Sequence, residues 1–319
     1  MLGTLGIVQI SLNMHYDSSI MRKILGISGK DSCAAALILK LYDSEEWARV
    51  ELFFNDTGCD YPCVHEWLRK VENYFEKPIA FIDGDLPGTI ARYTTSDRAF
   101  LPSRKVRYCT KEAKIQPMER WIGDDKALLY GGFRYDERDR SGYTPSPQVS
   151  VIHPLIDRKI SLGGVYALLE AVDLLPPDFF WQTLYDAVCE EWTAQSNLLH
   201  VEFESFLSLH HKRLLFAGRS RTNCYFCFNQ RLYEFVWLSE AYPDLFEQAC
   251  AYEKDDYTWK QGESLRDLVK PDRKRKIIRD RAKAIVKIIS SVVFGQAWSL
   301  GAESEDLYDS PSCGLFCGK

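Results

Sequence analysis

At 319 residues, with 46% hydrophobic and 27% charged side chains, the chain has the make-up of a soluble globular protein of one large or two modest domains. Its formal charge of −5 excludes a globally basic nucleic-acid binder, so any phosphate-binding surface has to be local. No stretch reads as a membrane span, because the most apolar late segment, Ala284 to Leu300, is interrupted by Lys287 and Gln296; the mildly apolar Met1 to Ile20 lacks a basic start, so a cytoplasmic protein with no membrane partner is expected.

The first element is a short apolar strand ending near Leu25, followed by the turn Gly26-Ile-Ser-Gly-Lys-Asp-Ser32 and a helix through Cys33-Ala-Ala-Ala-Leu-Ile-Leu39. Val50-Glu-Leu-Phe-Phe54 predicts a second strand, ending in Asn55-Asp-Thr-Gly58. Pro62 to Glu76 predicts an amphipathic helix with Val64, Trp67, Leu68, Val71 and Phe75 on one face. Further strands are predicted at Pro78 to Ile82, Ala127 to Gly131 and Val149 to Ile152, and helices at Lys111 to Trp121 and Ser161 to Val172. Strands alternating with helices at this spacing predict an α/β fold with a parallel sheet covered on both faces. Ligands of such sheets bind beyond the carboxyl ends of the strands. The Ser28 turn, Asp56-Thr57 and Gly132-Phe-Arg134 all fall there and are expected to share one crevice.

After Pro176-Pro177 the pattern turns helical and aromatic, so the predicted organisation is an extension (1–21), a nucleotide-binding sheet domain (22–172) and a helical, cysteine-bearing region (173–319). Lys270 to Lys287 holds nine Lys/Arg against two Asp, with Ile278, Ala282, Ile285, Ile289 and Val292 recurring at helical spacing. A solvated charged face is the plain reading of this helix. A phosphate-backbone contact to DNA or RNA is the alternative.

A strand–turn–helix with small residues and one lysine points backbone amides and a helix N-terminus at one spot, which suits a phosphate. Ser28 and Ser32 add hydroxyls, Gly29 allows close approach, and Lys30 adds a point charge. It is not a Walker A loop, since Gly26 and Gly29 are too close and Asp31 follows the lysine. Arg134 offers a bidentate fork for phosphate or sulfate; the competing reading pairs Arg134 and Arg138 with Asp136, Glu137 and Asp139. Ten cysteines without a secretion signal read as thiols, metal ligands or redox groups rather than disulfides. Cys33, Cys189 and Cys250 fall in helical patterns, as buried small apolar residues, while Cys224 and Cys227 form a C-x-x-C, whose thiolates can grip one metal or cluster.

Ser28-Gly-Lys-Asp-Ser32 resembles the SGGKDS loop of PP-loop ATP pyrophosphatases with one glycine missing, and most of all that of the phosphoadenosine phosphosulfate (PAPS) reductase family. Asp56-Thr57-Gly58 matches that family's D-T-G. Arg107-Tyr-Cys-Thr110 with Lys114 and Pro117 resembles its R-x-C-T…K-x-x-P, and Gly132-Phe-Arg134 its G-x-R. Cys313-Gly-Leu315 matches part of the E-C-G-L-H tail of true reductases, with Ser312 and Phe316 in place of the Glu and His. The likeness covers about residues 22–235, with the tail as a separate short match.

The resemblance implies a parallel-sheet PP-loop domain and an adenine nucleotide, ATP or a PAPS-type compound, with Mg²⁺. Ser28, Gly29, Lys30, Asp31, Ser32, Asp56, Thr57, Arg107 and Arg134 are the expected binding residues, and Lys30, Asp31 and Cys313 the expected catalytic ones. Cys109, Cys224 and Cys227 are expected to hold a [4Fe-4S] cluster, with Cys317 or else Cys313 as the fourth ligand or with the fourth iron left open; Zn²⁺ is the competitor and a metal-free set of thiols the third reading. The divergent tail favours an ATP-using, adenylating sulfur-transfer enzyme, similar to the PP-loop subunit of DNA phosphorothioation and related prokaryotic defence systems, with a sulfur donor or defence-system protein as partner. The alternatives are a sulfonucleotide reductase and a non-catalytic nucleotide-binding subunit of a larger assembly.

Overall fold

The computed structural model describes residues 21–95, 100–139, 146–195, 202–254 and 257–293. Five strands make one all-parallel sheet: β1 (Arg22–Gly26), β2 (Val50–Asp56), β3 (Ile79–Asp83), β4 (Ala127–Tyr130) and β5 (Val149–Ile152), in the order β3-β2-β1-β4-β5. The α/β architecture expected from the strand–helix alternation is therefore the one observed. β1 carries buried Lys23, Ile24 and Leu25, as befits a strand covered on both faces.

The chain winds outward from β1 through β2 to β3 and then returns to place β4 on the other side of β1. The order reverses between β1 and β4, which makes a crevice at their carboxyl ends. α1 (Lys30–Tyr42) starts at that point and is buried along most of its length because Cys33 to Leu39 are small or apolar all round. α2 (Ser44–Arg49), capped by the Asp43 side chain on the Glu46 amide, leads to β2. α3 (Pro62–Phe75) buries the five residues whose helical spacing marks one face, Val64, Trp67, Leu68, Val71 and Phe75.

α4 (Leu86–Tyr93) follows β3. The single helix expected from Lys111 to Trp121 is instead a composite: α5 (Tyr108–Thr110), a π-helical turn (Lys111–Ile115) and α6 (Gln116–Ile122). Pro117 has no amide to donate to the turn behind it, which suits the end of the widened segment.

α7 (Pro154–Asp157) and α8 (Leu162–Ala171) complete the sheet region. Beyond it come α9 (Gln182–Gln195), α10 (Leu209–Leu215), α11 (Leu232–Ala241), α12 (Pro243–Ala251), α13 (Leu265–Leu268) and α14 (Pro271–Val293). The apolar core runs without a break from β1 and α1 into these helices. Tyr61 is the hinge of that packing, with its ring 5.7 Å from Phe179, 5.9 Å from Trp237 and 5.1 Å from Tyr242. A second, smaller core on the other face of the sheet holds Ile24, Phe53, Met118, Ile122 and Leu129. Among the described residues, no helix is long and apolar enough to cross a membrane.

Candidate nucleotide site and its neighbouring thiol cavity

A cleft of about 210 Å³ opens at the crevice between β1 and β4. Ser28 to Ser32 and Gly132 to Arg134 line its floor, and the segment Arg219 to Asn223 closes it from the helical side. Ser32 organises the turn. Its Oγ accepts from the amides of Ser28 (2.9 Å) and Gly29 (3.2 Å) and donates to the Gly29 carbonyl (3.0 Å). The first-turn amides of α1 have no intrahelical acceptor and mark the positive end of the helix dipole.

Gly132 explains why β4 can end so close to this helix. A Cβ there would lie 2.8 Å from the Ser32 amide nitrogen and 3.1 Å from the Asp31 carbonyl carbon, both backbone atoms. Only a residue without a side chain fits.

The charges of the floor are interlocked. Lys30 Nζ lies 3.2 Å from Asp31 Oδ2, and Arg134 Nη1 lies 3.1 Å from Asp31 Oδ1. Arg134 also pairs with Asp136 at 3.2 Å and Glu137 at 3.4 Å. The reading that paired Arg134 with neighbouring carboxylates is thus observed, with Asp31 added. Arg138 lies 3.9 Å from Asp139.

Burial would push Asp31 up, but Lys30 and Arg134 together outweigh it and hold the carboxyl below its ordinary value. Burial pulls the Lys30 ammonium down, and Arg134 and Arg221 add to that, against the attraction of Asp31. Burial likewise disfavours the Arg134 charge, yet Asp31, Glu137 and Asp136 more than restore it.

Asp56 and Thr57 do not line the cleft. Asp56 Oδ1 accepts from the Gly58 amide at 2.9 Å, and its other oxygen is 4.0 Å from His65. Thr57 is buried; its hydroxyl donates to Asp60 at 2.7 Å and sits 3.3 Å from the Cys224 sulfur. Asn55 and Asp60 take the cleft positions instead. Arg107 lies over the Phe228 ring at 5.9 Å, away from the cleft lining.

Cys109, Cys224 and Cys227 come together around a second, much smaller and apolar cavity, walled by Phe226, Phe228 and Trp259. Lys114 lines both cavities. Cys59 joins this region from the turn after β2: its carbonyl accepts from the Tyr225 amide at 2.9 Å, and burial, reinforced by Cys224 and Asp60, pushes its thiol up. Among the described residues, however, no group of three or more Cys, His, Asp or Glu is arranged to hold a metal ion. Three of the four cysteines of the expected ligand set thus share a cavity without forming a metal site among the described residues, and neither a cluster nor zinc is shown there. Cys313 and Cys317 lie outside the described residues. Cys33 and Cys250 are buried as expected of packed thiols, while Cys189 is half-buried.

The segment between the two cavities is held by Arg219, which is 2% exposed. Its guanidinium donates to the carbonyls of Arg221 (2.6 Å), Asn223 (2.6 Å) and Cys224 (2.7 Å) and to the Tyr61 hydroxyl (2.7 Å). Thr222 then reaches the Ser28–Ser32 turn itself, donating to the Ser28 carbonyl at 2.8 Å. Neither residue stands out by type. The signal available in the sequence was the run Gly218-Arg-Ser-Arg-Thr-Asn223 directly before the C-x-x-C.

No family model matches the chain, and no curated protein matches it. Among solved structures it is similar to phosphoadenylyl-sulfate (PAPS) reductase from Candida auris in a phosphate complex. That likeness has 15% identity, spans 53% of this chain and 79% of the other, and has a TM-score of 0.38. A superposition that loose carries no argument about the reaction.

Proposed function

We propose that this chain is a PP-loop enzyme of the PAPS reductase type that binds an adenine nucleotide in the β1/β4 cleft and uses ATP to adenylate an acceptor. One observation supports the reading above the others. The Ser28–Ser32 turn, Arg134 and the Arg219–Asn223 segment, distant in sequence, line one cleft at the point where strand order reverses.

The α1 N-terminus and Lys30 supply positive potential for the phosphates. Attack by an acceptor oxygen on the α-phosphorus would form the new P–O bond as the bond to the bridging oxygen breaks, releasing pyrophosphate. Lys30 would stabilise the charge that develops on that leaving group. A thiol would then displace AMP from the adenylated acceptor, forming a bond from sulfur to the acceptor. Asp31 is the carboxylate that fits Mg²⁺, since it is held ionised in the cleft and Mg²⁺ commonly takes only one or two carboxylates beside substrate phosphates. When bound, Mg²⁺ would neutralise phosphate charge there.

A second reading has its own support. Lys30 and Arg134 are both engaged with carboxylates, which suits a subunit that holds a nucleotide without turning it over.

The test is incubation with ATP and Mg²⁺, with AMP and pyrophosphate quantified by chromatography. Formation of both, abolished in Lys30→Ala, is the expected result. Sulfite from PAPS and reduced thioredoxin, with ATP untouched, would replace adenylation by sulfonucleotide reduction. Binding without either product would establish the non-catalytic reading, and no binding of ATP, AMP or PAPS would overturn all three.

A further inference from the structure

The cleft uses none of α14, the longest described helix. Ile277, Ile278, Ala282, Ile285, Val286, Ile288 and Ile289 are buried there, and the helix packs on α9 and α11. The opposite side is cationic. Arg275, Lys276, Arg279, Lys283 and Lys287 are all exposed, and at 100° per residue they fall within an arc of about 120°. Arg275, Arg279, Lys283 and Lys287 recur every four residues, so they step along the axis by about 6 Å each and cover about 18 Å.

Some of the cations of α14 are matched by carboxylates. Here Arg275 pairs with Asp272 at 2.5 Å, and Arg273 and Lys274, nearer the core, pair with Glu263 and Glu240. Among the described residues no carboxylate comes within 4.0 Å of Arg279, Lys283 or Lys287. Like charges at this spacing repel one another. In a chain with a formal charge of −5, this is a concentrated local exception.

We infer that the exposed face of α14 is a docking surface for the phosphodiester backbone of a DNA duplex, bound without regard to base sequence. Charge complementarity commits the face to a polyanion with regularly spaced charge, which a duplex supplies. A membrane surface fits worse, because the apolar side of α14 is spent in the core and none of its described side chains is a large exposed apolar group. Single-strand binders add aromatic stacking platforms to a basic groove, and duplex-RNA binders add polar contacts to 2′-hydroxyls to their phosphate contacts. Apart from Pro271, Asp272 and Asp280, the exposed positions of α14 carry only Lys and Arg. The inference is independent of the nucleotide reading, because no α14 residue lines the cleft.

The full chain is titrated into a fluorescein-labelled 24-base-pair duplex at several salt concentrations. With about three to four phosphates neutralised, log K is expected to fall against log salt with a slope of about −2.7 to −3.6. The Arg279→Gln/Lys283→Gln/Lys287→Gln variant, folded by circular dichroism and thermal melting, should flatten that slope by about 2 to 3 and weaken binding at low salt by tenfold or more. Scrambling the duplex sequence should change nothing. A folded triple variant with the wild-type affinity and slope overturns the inference. So does tighter binding to the single strand, to an RNA duplex or to phosphatidylserine vesicles. As a further arm, Lys283→Glu alone should weaken binding more than Lys283→Gln; equal effects would count against backbone contact.

Discussion

The Thr222 hydroxyl donates to the Ser28 carbonyl at 2.8 Å, joining two residues 194 positions apart. The Ser28 carbonyl and the Gly29 amide belong to one peptide plane, so this bond fixes the orientation of the plane within the Ser28–Ser32 turn. Gly29 is fitted to it, because a Cβ at that position would lie 3.2 Å from Thr222 Oγ1. Thr222→Val keeps the shape and deletes the donor. We predict a stability loss of about 1 kcal/mol, and a larger proportional loss in ATP affinity than in stability. Denaturant melts and calorimetric titration check both. Unchanged affinity would show that the turn holds itself.

Gly132→Ala is predicted to be worse than its single methyl group suggests. The added carbon would meet backbone on α1, which cannot swing away as a side chain would. We expect destabilisation of about 1–3 kcal/mol from overpacking and nucleotide affinity reduced at least tenfold as the first turn of α1 shifts. Melting temperature and titration with ATP decide it; near-wild-type values for both would mean that β4 does not buttress α1.

Much of this fold could be read before any coordinates. β1 to β5 were legible because short apolar runs end in turn residues, and α3 because its five apolar residues share one helical face. α2 and α4 were missed, since both are short and depend on caps, Asp43 and Asp85, that look like ordinary turn residues. The π-turn at Lys111–Ile115 has no periodic signature at all. Within the site, Lys30 and Arg134 were legible as charged residues at strand ends. Asp60 and Thr222 were not, because their roles exist only once the Arg219–Cys227 segment folds over the turn after β2. Asp56 and Thr57 show the converse: a motif at a strand end whose side chains turn away from the cleft to hold Gly58, Asp60 and Cys224.

Arg134 is 9% exposed and faces three carboxylates. Arg134→Met would take the guanidinium away from Asp31, Asp136 and Glu137 in a largely buried place, leaving Asp31 its contact with Lys30. The predicted cost is about 2 kcal/mol, below that of a fully enclosed pair because Asp136 is partly exposed. Arg134→Lys restores one charge but not the fork and should recover only part. Urea melts of the two variants check the order. If Lys and Met cost the same, the planar fork rather than the charge holds this corner.

Arg219 has a different task, since its described partners are carbonyls and hydroxyls rather than acids. Lysine cannot reach three carbonyls and the Tyr61 hydroxyl at once. Arg219→Lys is therefore predicted to loosen the Arg221–Cys227 segment, seen as faster amide exchange at Thr222 to Cys224 and lower protection of Cys224 from alkylation. An unchanged exchange pattern would remove Arg219 as the organiser of that segment.

Asp60 supplies the pH prediction. Burial pushes its carboxyl above the ordinary 3.8, and Lys114 and the two bonds from Thr57 do not fully offset this. The folded state therefore binds the Asp60 proton more tightly than the unfolded chain. The stabilisation this proton provides is complete below the ordinary aspartate value and is lost as pH rises through the folded value. At neutral pH the carboxylate is held at a cost. Asp60→Asn keeps an oxygen that can accept from the Thr57 amide and hydroxyl and removes the charge. It should melt higher than wild type at pH 7.5, and the gain should shrink towards zero as pH falls to 4, where wild-type Asp60 is itself increasingly neutral. Melting curves of both proteins across that range test it. A variant that melts lower at pH 7.5, by a margin that also shrinks on acidification, would show instead that the Asp60 charge, through Lys114, holds the wall between the two cavities together.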